Sequence, residues 1–141
     1  MTQNIDFFLN ISKFHAILSK NLDAKLGGIG FNDFIVLYHL SNAPEKKLKR
    51  IELAEKVGLT ASWVTRLLLP MEKIGLISKE SNPNDARISY VLLAPGWANK
   101  LSEAIDRIEL YSDDIFSKEN EENIKLVSNF IAEIWGKMMW K

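Results

Sequence analysis

Ser62, Arg66, Leu69 and Lys73 recur at intervals that put them on one side of a helix turning by about 100° per residue, with Trp63 and Thr65 flanking them. Hydroxyls and a planar guanidinium at such spacing offer outward-facing hydrogen-bond donors. Arginine is the commonest donor to guanine edges, and lysine and the hydroxyls suit phosphate oxygens. A second arginine, Arg87, follows a turn-rich stretch with Asp85 two residues before it. Its fork could reach phosphate or a narrow minor groove. Asp85 is expected to orient Arg87 or Arg66 through a salt bridge. Thr60 is first a helix cap, because its hydroxyl can accept a free backbone N–H at the start of the next turn.

Catalytic chemistry finds no comparable grouping. No nucleophile sits beside a base at motif spacing, and Gly27-Gly28-Ile29-Gly30 follows no strand, so it is not a phosphate loop. The chain has no cysteine, which excludes thiolate metal sites, disulfides and thiol redox switches. His15 and His39 lack ligand spacing, so no metal, no cofactor and no enzyme activity are expected.

The elements that must hold these side chains follow from periodicity. Residues 5–22 read as a helix ended by the glycines of 27–30, and a second helix carries Phe34, Ile35, Leu37, Tyr38 and Leu40 inward with Asn32 as its N-cap. Pro44 and the basic run Lys46–Arg50 read as a linker, whose Lys46, Lys47, Lys49 and Arg50 either form a solvated turn or add phosphate contacts. A short helix with Ile51, Leu53, Ala54 and Val57 stops at Gly58. Then the helix from Thr60 to Ile74 buries Val64, Leu67, Leu68, Met71 and Gly75 and turns its polar side outward. Two helices joined by a tight glycine turn form a helix-turn-helix, whose second helix fits a major groove. Pro70 interrupts that second helix and predicts either a bend or two shorter pieces. After Gly75 the pattern alternates: Leu76–Ser81 and Ile88–Leu93 read as strands around a tip at residues 82–87, a wing. A helix starting at Pro95 and another over residues 120–139 complete the chain. Together with the first helix they carry more apolar surface than the small lobe can bury, so a dimer interface built from both chain ends is expected.

Composition agrees with an ordinary folded chain of 141 residues, 47% hydrophobic and 26% charged. No apolar run is long enough to span a bilayer and no signal-peptide pattern opens the chain, so no membrane contact and a cytoplasmic location are expected. Net charge is zero, which counts against a nucleic-acid partner. Its distribution is uneven, however. Nine lysines and arginines stand against six acids between Glu45 and Tyr90, while the C-terminal part is acidic.

Over nearly its whole length the chain resembles the MarR family of bacterial winged-helix regulators. The resemblance rests on Ile51-Glu-Leu-Ala-Glu-Lys-Val-Gly-Leu-Thr60, Val64-Thr-Arg-Leu-Leu68, Met71-Glu-Lys-Ile-Gly-Leu-Ile77 and the wing's Asp85-Ala-Arg87, in that order. It implies a mainly α fold with a small β-hairpin wing: a single domain over residues 1–141. Residues 31–94 would form the winged helix-turn-helix lobe, and residues 1–22 and 95–141 the helical dimerisation region. It further implies a transcriptional regulator that binds double-stranded DNA as a homodimer on a palindromic operator, often under a small aromatic effector. The DNA-facing set would be Thr60, Ser62, Trp63, Thr65, Arg66, Lys73, Asp85 and Arg87. An effector pocket would draw on Phe14, His15, Tyr38 and Trp97. Ala94 departs from the family's usual threonine before the fifth helix and removes a capping hydroxyl. A different class of function stays open: a protein-interaction module that never binds DNA, for which the zero net charge, Trp63 and Leu69 speak.

Overall fold

In a computed structural model, residues 2–139 are described; Met1, Trp140 and Lys141, the outermost residues of the expected dimerisation region, lie outside it. The elements in chain order are α1 (Thr2–Lys25), α2 (Phe31–Ser41), a 3-10 turn (Pro44–Lys46), β1 (Lys47–Lys49) and α3 (Arg50–Val57), followed by α4 (Ala61–Lys73), β2 (Ile77–Asn82), β3 (Asp85–Leu93), α5 (Trp97–Ile115), a second 3-10 turn (Lys118–Asn120) and α6 (Glu121–Met139). The mainly α fold with a small β wing is borne out. By compactness the chain falls into two units, one up to Ile108 and one from Glu109 onward.

The first unit is built around the helix-turn-helix. Val36, Leu37 and Leu40 of α2 meet Leu53 and Ala54 of α3, and Val64, Leu68 and Met71 of α4 close the same core. Burying a large aliphatic side chain contributes about 1.5–3 kcal/mol, so this cluster fixes the angle at which α4 is presented. Gly58 takes a left-handed φ of 71° between the two helices, where a side chain would be strained. Ile51 departs from the expected inward set. It is 63% exposed, because the first turn of α3 precedes the point where the helix meets the core.

The sheet has three antiparallel strands in the order β1-β3-β2. The basic run expected to be a linker supplies β1, with Leu48 buried opposite Val91 while Lys47 and Lys49 face outward. A three-residue alternation is too short to stand out from a charged turn, and only its pairing with β3 reveals it. The wing is longer than the alternation suggested: β2 runs to Asn82 and β3 starts at Asp85, leaving Pro83-Asn84 as the turn.

Two helix starts also differ from expectation. Helix α2 begins at Phe31, not after an Asn32 cap. Two carboxylates take its free amides: Asp33 accepts from Gly30 N–H at 2.8 Å and Asp23 of α1 from Phe31 N–H at 2.7 Å. Helix α5 begins at Trp97 rather than Pro95, since Gly96 adopts φ 88° and cannot sit in a right-handed helix. Pro70 leaves α4 a single assigned helix through Lys73. Both Pro70 and Arg66, whose carbonyl lacks its usual donor, are exposed, where water can serve instead.

In the second unit, α6 follows the 3-10 turn, where Asn120 Oδ1 accepts the Ser117 N–H at 2.9 Å. None of the residues of α6 is buried.

Candidate nucleic-acid interface

Helix α4 is capped as its sequence demands. Thr60 Oγ1 accepts the backbone N–H of Trp63 at 3.2 Å, and Val64 N–H bonds to the Thr60 carbonyl. The cap sets where the helix starts, and therefore which side chains turn outward. Ser62, Trp63, Arg66 and Lys73 are all exposed, on the side away from the buried Val64, Leu68 and Met71. The Arg66 guanidinium lies 5.7 Å from the Trp63 ring centroid. That places the indole as a shelf beneath the cation, a contact that orients the fork without using its hydrogen-bond donors. The Lys73 side chain makes no ion pair or hydrogen bond among the described residues.

Thr65 differs from its neighbours. It is half-buried, and its hydroxyl is engaged twice: it donates to the Ala61 carbonyl at 3.1 Å and accepts from Arg50 Nη1 at 2.9 Å.

The wing brings its own cation. Asp85 accepts three hydrogen bonds from Arg87: from Nε at 3.1 Å, from Nη2 at 3.2 Å and from the backbone N–H at 3.0 Å. Of the two partners open to it in the sequence, Asp85 takes Arg87. Those bonds, the side-chain ones first, hold the Asp85 carboxyl below its ordinary pKa. The guanidinium remains largely in solvent, so the pair fixes its direction while leaving an outer edge accessible.

Between these parts lies a groove of about 420 Å³, formed where the starts of α3 and α4 approach the strand that follows the wing turn. Lys49, Arg50, Ser62, Thr65, Arg87 and Ser89 contribute its polar lining. The structure thus brings Ser62, Thr65 and Arg87 together. Lys49 and Arg50, of the basic run that could add phosphate contacts, belong with them, as does Ser89, which the sequence did not single out. A signal for Arg50 existed: it opens the first helix of the helix-turn-helix as Ala61 opens the second, and such motifs set the two helix starts side by side.

The four residues expected to line an effector pocket are not joined by any described contact. Phe14 and His15 are exposed on α1. On α2, Tyr38 lies tilted against the Phe34 ring at 5.9 Å and edge-on to His39 at 6.1 Å between centroids. Trp97 is half-buried at the start of α5, under the Lys46 ammonium at 5.2 Å from the ring centroid. Among the described residues no cluster of His, Cys, Asp and Glu could hold a metal ion, and no helix is long and apolar enough to cross a membrane.

Residues 32–89, spanning α2, the helix-turn-helix and most of the wing, match the model of the MarR family. Over that region the chain is similar to the MarR family. An uncharacterized HTH-type transcriptional regulator of Bacillus subtilis, YcgE, is 30% identical over 84 residues. That match spans 58% of this chain and 53% of the relative, about half its length. The crystal structure of the transcriptional regulator BldR from Sulfolobus solfataricus superposes with a TM-score of 0.77 at 24% identity, covering 93% of this chain and 95% of that one. The Staphylococcus aureus MepR–DNA complex gives 0.74 at 18% identity, covering 91% and 97%. At such identities the structures establish the winged-helix fold of this chain. The family is one of transcription regulators and not of enzymes.

Proposed function

We propose that this protein is a sequence-specific regulator that binds double-stranded DNA as a homodimer. One observation carries the proposal: the MarR-like region presents an exposed polar side of α4, with Arg66 and Lys73 free of carboxylate partners among the described residues, next to a wing arginine. Helix α4 would enter the major groove and read base edges with Arg66 and Ser62, while Arg87 would contact phosphate or the adjacent minor groove. MepR, a structural neighbour, was crystallised with DNA, which supports the same use of the shared fold.

The dimer is supported by apolar surface. Phe8, Leu9 and Phe14 on α1, and Phe130, Trp135 and Met138 on α6, are more than half exposed in a single chain. Patches of that size on a folded protein mark partner surfaces. A two-fold dimer reads a pseudo-palindrome, with half-site centres about one helical turn, roughly 10 bp, apart. An effector that binds better when the two reading lobes are badly spaced for the operator would shift the population toward release.

Selection of bound sequences from a random duplex pool tests the proposal. The expected product is an inverted repeat of that spacing, bound with an affinity that falls steeply as salt rises. Failure to enrich any sequence, with salt-independent or undetectable duplex binding, overturns it and favours a protein-interaction module built on exposed Trp63 and Leu69.

A further inference from the structure

The fold sorts the basic run before α3 into two pairs. Lys46 is engaged with Trp97, and Lys47 lies 4.7 Å from the Tyr90 ring centroid, with Glu80 at 3.5 Å and Glu45 at 3.6 Å. Two carboxylates match the charge of Lys47, and Lys46 is held by the Trp97 ring and by the Ser41 carbonyl, to which it donates at 3.1 Å. Lys49 and Arg50 instead line the groove between α3, α4 and the wing, whose lining includes no acidic residue. Three cations on three separate elements, Arg87 with its Asp85 partner outside the lining, therefore converge with the hydroxyls of Ser62 and Ser89 on a space open to solvent.

We propose that this groove seats one backbone phosphate of the duplex, with Arg50 as its main donor and Thr65 as the residue that aims Arg50. The proposal rests on the DNA-binding reading above and deepens it. Thr65 has one hydroxyl proton, and it goes to the Ala61 carbonyl. It therefore has no proton left to give a base or a phosphate. What it offers is a lone pair, and Arg50 Nη1 takes it at 2.9 Å. A guanidinium has five N–H donors in a fixed plane, so one bond to Thr65 sets the plane and leaves the rest for an anionic oxygen. Because Thr65 belongs to the reading helix and Arg50 to its buttress, the same bond ties the phosphate seat to the position of α4. Thr65 is thus a positioning residue rather than a reader of sequence.

Fluorescence anisotropy of the full chain tests this, using a selected operator duplex and a random-sequence duplex of equal length across a salt series. Arg50→Gln should weaken binding to both duplexes by the same factor, about tenfold for a lost charge-assisted contact, and reduce the salt slope by about one. Thr65→Val, which keeps shape and removes the lone pair, should give a smaller loss, equal on both duplexes, with the salt slope kept. Thr65→Ser should restore wild-type binding. Unchanged affinity and slope for Arg50→Gln overturns the seat. A changed ratio between the two duplexes for Thr65→Val overturns the positioning role, because the hydroxyl would then be reading a base. Thermal unfolding of each variant checks the fold. If Arg50→Gln does not fold, Arg50→Lys serves, with the slope kept and affinity lowered equally on both duplexes; wild-type affinity in that variant overturns the proposal. A wild-type protein that binds neither duplex removes the DNA-binding reading itself, whereas steep salt-dependent wild-type binding beside an indifferent Arg50→Gln removes only the seat.

Discussion

Arg66 and Arg87 carry the same group but are held in different ways, and the proposed function gives them different work. Arg66 rests against the Trp63 ring, its donors unclaimed among the described residues, on the outward side of α4. Arg87 is gripped by Asp85 through both its side chain and its backbone. Replacing Arg66 with alanine should cost about 1–3 kcal/mol on the preferred operator and relax specificity at one or two base pairs. Arg87→Ala should lower affinity on every sequence alike. Gel-shift titration at fixed salt on a set of single-base operator variants separates the two outcomes, and unchanged affinity in both mutants would remove the reading of α4 and the wing as a DNA surface. The types and spacing of these arginines were legible in the sequence, since a capped helix dictates which positions face outward. The role of Thr65 was not, because its hydrogen bond comes from Arg50, a residue fifteen positions earlier that only tertiary packing brings near.

At the scale of elements, caps and turns decide where reading groups point. The hydroxyl of Thr60 is the side chain that caps α4, so Thr60→Ala should destabilise the protein by about 1 kcal/mol. The same change should weaken DNA binding by loosening the first turn, where Ser62 stands. Urea denaturation read by circular dichroism measures the first effect; an unchanged midpoint would mean the cap contributes nothing. Helix α2 carries a pH dependence. Burial first, and the Lys56 charge second, push the His39 pKa below its ordinary 6.5. The folded protein therefore takes up this proton less readily than the unfolded chain. Stability should fall as pH drops below about 6.5 and level off once pH passes the folded value. Melting curves between pH 8 and 5 should show this decline, and His39→Gln should flatten it; an identical decline in the variant would assign the effect elsewhere. Helices α3, α4 and the wing were visible as changes of period. Strand β1 and the true start of α2 were not, because the first exists only by pairing with β3 and the second is set by the carboxylate of Asp23, eight residues before Phe31.

For the molecule as a whole, a net charge of zero has a consequence for how it must bind. Long-range attraction to a polyanion is weak, so affinity has to come from local contacts, repeated on two half-sites. A single reading lobe with a handful of cations would hold DNA poorly, so the proposed function calls for a dimer. The exposed apolar residues of α1 and α6 supply the means. If they form the interface, the protein should sediment at about twice its 16.1 kDa chain mass, and its melting temperature should rise with concentration. Placing a charge on each of these helices, with Phe130→Glu and Phe14→Glu together, should yield a folded monomer or an unfolded chain. A folded monomer should retain salt-dependent binding to a half-site duplex with about half the slope shown by the dimer on the full operator, because half of the phosphate contacts are gone. A wild-type protein that sediments as a monomer at micromolar concentration, yet binds the full operator with the undiminished slope, would show that one lobe suffices and that the apolar surface serves something else.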